Sequence, residues 1–214
     1  MGTAPDKKTL SFKKMHGLGN DFVIIDGRNT THTFNRDQIK LLGNRNLGIG
    51  FDQLAIITNG LKNGISAHVN FWNSDGSESF TCGNATRCIA ELLMVEMNCN
   101  ELIISTDLQE VSCRKASCGL ISTNLGQPKF KWDEVPLSTN CDTLRLPIEG
   151  TPVATSMGNP HCSYFVNDIE KYSITKIGSE TEVLSLFPQR TNVQLAQVMD
   201  SSTIKVKVWE RGCG

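Results

Sequence analysis

The feature that most constrains the fold is the alternation of strand-like and helix-like segments along the whole chain. A stretch with two prolines and no clear periodicity, residues 126–136, separates two such series. Because each series mixes strands with helical segments, the pattern predicts an α/β or α+β fold with two lobes. We place the first lobe at residues 1–127 and the second at residues 128–214.

Hydrophobic periodicity predicts the individual elements. In the first series, strands are predicted at 10–15, 22–26, 54–58, 65–73, 102–106, 109–114 and 119–125, and helices at 36–45 and 84–97. In the second series, strands are predicted at 143–148, 152–156, 161–166, 192–198 and 203–209, and a helix at 179–186. The helix at 84–97 has a wide apolar stripe that includes Val95 and Cys88, and we interpret Cys88 as a core residue.

Charge and composition exclude several classes of protein. The net charge is −1 and the pI is about 6.4, so a broad electrostatic footprint for nucleic acid is not expected. The apolar stretches are too short and too interrupted to span a bilayer, and the N-terminus lacks the apolar core of a secretory signal. We therefore expect a chain that binds neither nucleic acid nor a membrane.

The chain has eight cysteines, which are Cys82, Cys88, Cys99, Cys113, Cys118, Cys141, Cys162 and Cys213. Because the chain has no export signal, reduced thiols are expected rather than disulfides. No C-x-x-C motif and no second pair at finger-like spacing is present, so a zinc site is not predicted. Most of these cysteines should be small buried hydrophobic residues, and one or two should be reactive.

The strongest local feature lies within residues 73–88. A turn signal follows a strand there, and Cys82-Gly83-Asn84 then opens a helix. At a helix N-terminus the amides and the helix dipole stabilise a thiolate and lower its pKa from about 8.5. The amides of Gly83 and Asn84 could also hold a carboxylate. The segment predicts either a reactive thiol beside an anion site or a structural cysteine before a helix.

Three other polar, glycine-containing loops lie at strand ends. One contains Asn20, a second contains Asn159 and His161, and a third places Glu210 and Arg211 after the last strand. Each has an ordinary interpretation, as a hairpin loop, a structural histidine or a solvated ion pair. Together they offer amides and an arginine for a carboxylate, a glutamate for an ammonium group and a thiol for a proton. That combination suits a small amino-acid ligand.

These loops belong to a longer, ordered set of sequence blocks. The blocks lie at 16–22, 50–53, 71–78, 82–84, 157–161, 187–193 and 209–212. In this order they resemble the signature blocks of diaminopimelate epimerases, from near the N-terminus to the last residues of the chain. Several blocks in the same order are far more specific than any single block.

The resemblance implies two pseudo-symmetric α/β lobes, each a mixed β-sheet wrapped round a central helix, with the active site in the cleft between them. One cysteine from each lobe would face the substrate α-carbon, so that one thiolate removes a proton and the other thiol returns one on the opposite face. Inversion requires both groups, because a single base would return the proton with retention. The resemblance implies no pyridoxal phosphate, no metal and no other cofactor.

The resemblance also assigns residues by position. Cys82 matches the first catalytic cysteine of the family, and His161 matches a histidine that lines the site. The positions that match substrate contacts are Asn20, Gln53, Asn73, Gly83, Asn84, Asn159, Asn192, Glu210 and Arg211. Glu210 and Arg211 are expected to help hold the reacting amino-acid end, and the asparagines to hold the rest of the ligand.

Two departures from the family pattern stand out. Ala85 replaces a family glycine, which a helix should tolerate unless the methyl group crowds a close approach. The family also continues after Glu-Arg-Gly-x-Gly into a segment that carries the second catalytic cysteine, whereas Cys213 falls on the variable x position and nothing follows Gly214. We therefore expect the second lobe to be incomplete and the chain alone to be unable to epimerise.

The implied reaction converts LL-2,6-diaminopimelate to the meso isomer for lysine and peptidoglycan precursor synthesis. It implies a cytoplasmic protein that binds a small-molecule substrate, and homodimers occur in the family. Three alternatives stay open. They are another cofactor-free amino-acid racemase, such as a proline or hydroxyproline racemase, a non-catalytic ligand-binding relic, and a thiol redox protein. The absence of C-x-x-C disfavours the last of these.

Overall fold

The chain divides into two compact units between residues 125 and 126. The structure is a computed structural model, and it describes residues 9–212. Both units combine strands with at least one helix, and this confirms the predicted class of mixed α and β structure. Cys213 lies outside the described residues. Within the described part of the chain, no helix is long and apolar enough to cross a membrane.

The first unit is built on one sheet of eight strands. The strands are β1 (Lys13–Gly17), β2 (Asn20–Asp26), β3 (Gln53–Thr58), β4 (Ala67–Asn73), β5 (Glu78–Ser79), β6 (Glu101–Ser105), β7 (Glu110–Lys115) and β8 (Ile121–Asn124). Their order is β1-β2-β3-β4-β6-β7-β8, with β5 paired to β4. The pairs β2–β3 and β4–β6 are parallel and the others are antiparallel.

Two helices cover the faces of this sheet. Helix α2 (Gly83–Met97) buries Ile89 and Leu93 against Phe22 and Phe71, in the largest core cluster of the protein. Helix α1 (Arg36–Gly43) buries Ile39 in a separate cluster on the other side. Complete burial of each large apolar side chain contributes about 1.5–3 kcal/mol. Because both faces are covered, β2 and β3 show four consecutive buried residues instead of alternation.

The second unit has a four-stranded sheet in the order β12-β11-β10-β9. Its strands are β9 (Val153–Ser156), β10 (Pro160–Phe165), β11 (Asn192–Val198) and β12 (Ile204–Trp209), and only β10 and β11 run parallel. Helix α3 (Ile174–Glu182) packs on β11 and β12. A close approach makes this possible, since an added Cβ at Gly178 would lie 2.3 Å from Cγ of Trp209.

Apolar residues alternate with lysines along β12, a pattern that normally places the apolar side chains on the buried face of a sheet. In this strand the arrangement is reversed. Val206 and Val208 are 54% and 45% exposed, whereas Lys207 is only partly exposed. The Lys207 Nζ donates to the Ile169 carbonyl and pairs with Glu170, both in a 3-10 turn at Ile169–Lys171. The lysine therefore lies on the covered face of the sheet, with its charged end at the edge.

Three predictions about elements were wrong. Residues 143–148 form turns and no strand, because the Asp142 carboxylate accepts from the Leu144 amide and the Arg145 amide bonds back to the Asp142 carbonyl. The second-unit helix covers 174–182 instead of 179–186, because the Ser173 hydroxyl caps its first turn and Leu186 belongs to the core beyond its end. Val95 is 75% exposed, so it is not part of the buried stripe.

Candidate active site

Sheet pairing in the first unit brings several predicted residues together. Asn20 begins β2 and Gln53 begins the parallel neighbour β3, while Asn73 ends the antiparallel strand β4. Gln53 and Asn73 are directly paired, and the Gln53 side-chain amide donates to Asn73 Oδ1 at 2.9 Å. Three polar side chains therefore lie at one end of the sheet, which is also where α2 begins.

Cys82 occupies the position immediately before helix α2. Its backbone is extended, with φ −152° and ψ 104°, and its sulfur accepts from the Ala85 amide at 3.4 Å. The same sulfur lies 3.8 Å from Asn20 Oδ1, to which a thiol hydrogen would point. An N–H donor stabilises the thiolate and a carbonyl oxygen stabilises the protonated thiol. The surroundings of Cys82 therefore accommodate both protonation states of the sulfur.

A network of charges fixes the orientation of the Asn20 amide. Asn20 Nδ2 donates to Asp52 Oδ2 at 2.9 Å, and Arg45 pairs with the other oxygen of Asp52 at 2.8 Å. Because the amide nitrogen is held by a carboxylate, the amide oxygen is turned toward Cys82. Arg45, and also Lys14, hold the pKa of Asp21 well below its usual range, so that this carboxylate stays charged beside Asp52.

The first turn of α2 carries the other predicted residues of this unit. The helical hydrogen bonds begin with the Thr86 amide and the Cys82 carbonyl, so the amides of Gly83 and Asn84 precede them. Asn84 Nδ2 lies 3.5 Å from Asn20 Oδ1. Ala85 is fully buried in the core cluster, so its methyl group is accommodated inside the unit.

Gln53 has one unusual property. Its Oε1 is buried and has no hydrogen-bond partner among the described residues. Its Nε2 is engaged with Asn73, whose own amide donates to the Ser77 hydroxyl at 3.0 Å. The chain of hydrogen bonds from Gln53 to Ser77 therefore leaves one buried acceptor without a described partner at the β3 end, and such a group costs free energy.

In the second unit, β10 and β11 carry a continuous chain of hydrogen bonds. His161 Nε2 lies 2.9 Å from Asn159 Oδ1, and His161 Nδ1 lies 3.0 Å from Gln194 Nε2. Gln194 Oε1 in turn accepts from the Ser163 hydroxyl at 3.2 Å. Gln194 and Ser163 were not predicted as site residues. The period of two along β11 places Gln194 on the same face as Asn192, and that signal could have found it.

Asn192 and Arg211 are joined through the backbone. Asn192 is 2% exposed, its Nδ2 donates to the Pro160 carbonyl at 3.2 Å, and its Oδ1 accepts from the Arg211 amide at 2.8 Å. The Arg211 guanidinium donates to the Gln189 carbonyl, and burial lowers its pKa. Asn192 therefore holds the segment after β12 in place, whereas Glu210 in that segment is exposed.

Glu182 is a buried carboxylate that the sequence did not point to. It is 5% exposed at the end of α3, and it accepts from Trp209 Nε1 at 2.7 Å and from the Gly212 amide at 2.9 Å. Arg190 lies 3.4 Å away on the exposed side. One carboxylate thus anchors both ends of the segment that carries Glu210 and Arg211. No local pattern in the helix distinguishes it from the exposed Glu180.

The stability of the second unit should depend on pH through His161. Burial, and secondarily the positive charge of Arg211, lower the pKa of His161 below its usual 6.5. The unfolded chain then binds more protons than the folded chain below about pH 6.5. We expect the free energy of unfolding to fall as the pH is lowered from 7.5 to 5, by at most about 1.4 kcal/mol per pH unit from this group.

Denaturant titrations at several pH values would measure this dependence. His161→Gln should make the curve flatter below pH 6.5, and His32→Gln in the first unit serves as the matched control. An equal slope in the His161→Gln variant and the parent would contradict the assignment of the pH dependence to His161.

The other described cysteines have different surroundings. Burial raises the pKa of Cys113 to about 11 and that of Cys162 to about 12, and it also raises the pKa of Cys88 and Cys141. Cys88 is buried in the core, as predicted. Within residues 9–212, Cys82 is the one cysteine at the start of a helix. In the same range, no three His, Cys, Asp or Glu side chains are grouped to hold a metal ion.

Two solved structures share this fold. A probable proline racemase from Agrobacterium radiobacter K84 superposes with a TM-score of 0.64 at 9% sequence identity, covering 94% of this chain and 70% of that one. A hydroxyproline epimerase from Agrobacterium vitis superposes with a TM-score of 0.59 at 7% identity, covering 92% of this chain and 69% of that one. At such low identity the likeness shows the fold alone.

Sequence comparison identifies the family. The family model for diaminopimelate epimerase matches residues 12–130 and 153–214. The diaminopimelate epimerase of Pelagibacter ubique is 43% identical over 210 residues, which cover 94% of this chain and 76% of that protein. The enzyme of the same name from Zymomonas mobilis is 40% identical, covering 96% and 76%. The chain belongs to the diaminopimelate epimerase family and is an isomerase by family.

Proposed function

We propose that this protein acts in the interconversion of LL- and meso-2,6-diaminopimelate, without a cofactor, and that Cys82 is one of its two acid/base groups. The observation that carries the proposal is the position of the Cys82 sulfur, between the Ala85 amide at the start of α2 and the carbonyl oxygen of Asn20. The named relatives support the substrate. The product would serve lysine and peptidoglycan precursor synthesis in the cytoplasm.

The proposed step is transfer of the α-hydrogen as a proton. The Cα–H bond breaks, its electron pair stays on the α-carbon beside the carboxylate, and an S–H bond forms at Cys82. The new thiol hydrogen points to Asn20 Oδ1, whereas the thiolate before transfer is stabilised by the Ala85 amide. Because the sulfur has a partner in each protonation state, the same residue can act as base in one direction and as acid in the other.

The remaining predicted residues would bind the ligand. In the first unit, Asn20, Gln53, Asn73, Gly83 and Asn84 supply amide groups around the start of α2. In the second unit, we assign substrate contacts to Asn159, Glu210 and Arg211, and a lining role to His161. Asn192, which the sequence predicts as a further contact, is buried with both ends of its amide engaged, so we propose that it positions Arg211 instead. Arg211 offers a guanidinium to a carboxylate, and Glu210 offers a carboxylate to an ammonium group.

Inversion needs a second acid/base group that reaches the opposite face of the α-carbon. Cys141 and Cys162 are the described cysteines of the second unit, and burial raises the pKa of both. Cys162 is also fully buried, so its sulfur cannot contact a ligand. Since neither is suited to proton transfer, we propose that the 214-residue chain exchanges the α-hydrogen through Cys82 but does not invert the centre.

The test is incubation of the reduced chain with LL-diaminopimelate in deuterated water. Proton NMR follows the loss of the α-hydrogen signal, and chiral analysis follows the configuration of the recovered amino acid. We expect deuterium at the α-carbon with the LL configuration retained. L-Proline and trans-4-hydroxy-L-proline, incubated in parallel, should show no exchange above the rate without protein.

Two results would contradict the proposal. Formation of the meso isomer that persisted in Cys213→Ala would show a second acid/base group among the other residues. If the folded chain neither exchanged the α-hydrogen of diaminopimelate nor bound diaminopimelate, the proposed substrate would be rejected. In that case, exchange of the proline α-hydrogen would favour a proline racemase. If diaminopimelate bound but its α-hydrogen did not exchange, a ligand-binding protein would be favoured.

A further inference from the structure

One face of the second-unit sheet carries four polar side chains in a row. Ser163, Gln194 and His161 lie on adjacent strands, since Ser163 pairs with Gln194 and His161 pairs with Asn192 in the parallel register of β10 and β11. The row continues to Asn159 at the turn before β10. Its three hydrogen bonds measure 3.2, 3.0 and 2.9 Å, so each side chain touches the next.

We propose that Ser163 and Gln194, acting through His161, orient the Asn159 amide so that it presents N–H donors to a ligand carboxylate. These two residues are positioning residues that act on Asn159 at a distance. The proposal rests on the proposed function only in taking the ligand to be an amino acid, and the orientation itself is a property of the protein without ligand.

The direction of the chain of hydrogen bonds follows from the donors and acceptors available. A glutamine side chain has one acceptor end and one donor end. The Ser163 hydroxyl donates to Gln194 Oε1, which leaves Gln194 Nε2 to donate to His161 Nδ1. A neutral imidazole carries a single N–H, so the proton of His161 is on Nε2.

That proton decides what Asn159 offers. His161 Nε2 donates to Asn159 Oδ1 at 2.9 Å, so the amide oxygen is turned toward the ring and the amide nitrogen away from it. Two N–H donors suit a carboxylate, whereas the reversed chain would present a carbonyl oxygen, which suits an ammonium group. The positive charge of Arg211 acts on His161 and is a second group complementary to a carboxylate.

Burial keeps the His161 ring neutral, and the direction of the chain of hydrogen bonds requires a neutral ring. A protonated imidazole would carry a hydrogen on both nitrogens and could not accept from Gln194. Desolvation lowers the pKa of His161, so the neutral form predominates near pH 7. The chain of hydrogen bonds therefore has one direction at that pH, without any ligand present.

The first measurement is the tautomer of His161, by nitrogen-15 NMR of the histidine-labelled chain at pH 7.5. The chain has four histidines, and the His161→Gln variant assigns the signal. A protonated and an unprotonated ring nitrogen differ strongly in chemical shift. We expect the proton on Nε2, and a proton on Nδ1 would overturn the proposal whether or not the chain binds diaminopimelate.

The second measurement uses Gln194→Glu, because a carboxylate has no N–H to donate. An added carboxylate also raises the pKa of the ring, and a protonated ring would still donate from Nε2 to Asn159, so the variants are compared at pH 9, where the ring is neutral. The neutral ring must then carry its proton on Nδ1, so the Asn159 amide is released or reversed. The matched control is Gln197→Glu, three residues along the same strand. Gln197 Oε1 accepts from the Ile169 amide, and glutamate retains that acceptor. A neutral variant, Gln194→Met, separates the effect of orientation from that of the added charge.

The readout is the ratio of Kd values for L-lysine and diaminopimelate, since lysine lacks one of the two carboxylates. We expect this preference for diaminopimelate to fall about tenfold in Gln194→Glu, which corresponds to one hydrogen bond to a charged group. Gln194→Met should lower it in the same direction, and Gln197→Glu should leave it unchanged. An unchanged preference in both Gln194 variants would overturn the assigned role in specificity.

The two proposals fail in different ways. If the chain bound neither amino acid, the proposed substrate would be wrong. The tautomer measurement would still decide the direction of the chain of hydrogen bonds. If diaminopimelate bound but the proton was on Nδ1, the substrate would stand and the role of Ser163 and Gln194 would be rejected.

Discussion

Cys82→Ser is expected to lower the rate of α-hydrogen exchange by about 10²–10⁴-fold, the usual contribution of a positioned acid/base group. The hydroxyl of serine is too weak an acid to be ionised near neutral pH. Serine is, however, a preferred residue before a helix, so its oxygen can accept from the Ala85 amide as the sulfur does. We therefore expect the free energy of unfolding to change by less than about 0.5 kcal/mol.

Two further variants make this prediction specific. Cys118→Ser is the matched control, because Cys118 is an exposed cysteine of the same unit, and its exchange rate should equal that of the parent. Cys82→Ala should lose exchange and also about 1 kcal/mol of stability, since the acceptor before α2 is removed. Exchange at the parental rate in Cys82→Ser would reject Cys82 as the acid/base group.

Glu182→Ala is expected to lower the free energy of unfolding of the second unit by about 3 kcal/mol. The substitution removes the acceptor of the Trp209 indole and the Gly212 amide, and each hydrogen bond to a charged group contributes about 1.5–3 kcal/mol. The ion pair with Arg190 adds little, because Arg190 is 61% exposed and solvent screens the interaction. Denaturant unfolding followed by tryptophan fluorescence measures the loss.

Two variants on helix α3 control for helix propensity and charge. Glu180→Ala replaces an exposed glutamate two residues earlier, and it should change stability by less than about 0.5 kcal/mol. Glu182→Gln keeps one acceptor and loses the charge, so its effect should lie between the two alanine variants. If Glu182→Ala and Glu180→Ala were equally stable, the carboxylate would not be an anchor of the segment after β12.

This anchoring links stability to the proposed chemistry. Arg211 is held by two hydrogen bonds. Its own backbone amide donates to Asn192 Oδ1, and the next backbone amide, that of Gly212, donates to the Glu182 carboxylate. A guanidinium can discriminate a carboxylate only if its backbone has a fixed position, because the geometry of the two hydrogen bonds decides the binding energy. Loss of Glu182 should therefore weaken ligand binding in addition to destabilising the unit.

The residues around Cys82 illustrate what a local pattern can establish. A strand, a turn signal and a polar residue before an apolar helical stripe all act over a few residues, so the start of α2 could be predicted within one residue. The same holds for the mixed α and β class, since hydrophobic periodicity is local and appears in both series. The family was evident from the order of the sequence blocks, which requires no structure.

Elements whose conformation depends on distant contacts could not be predicted in this way. Residues 143–148 have a β-like composition, yet only the burial of Leu146 and the turn at Asp142 decide their path. The helix at 174–182 was misplaced because Leu186 and Phe187 complete the core after the helix has ended. In both cases tertiary packing outweighs the weak local preference.

The sequence by itself determined the fold class, the thiol at the start of a helix and the family, because each depends on neighbouring residues or on their order. Only the tertiary structure decided which side chains orient the predicted site residues. Asp52 turns the amide of Asn20, Gln194 directs the proton of His161, and Glu182 anchors the segment of Arg211. Each of these contacts joins residues at least 30 positions apart, and the energy of a polar group depends on the partner it meets when it is buried.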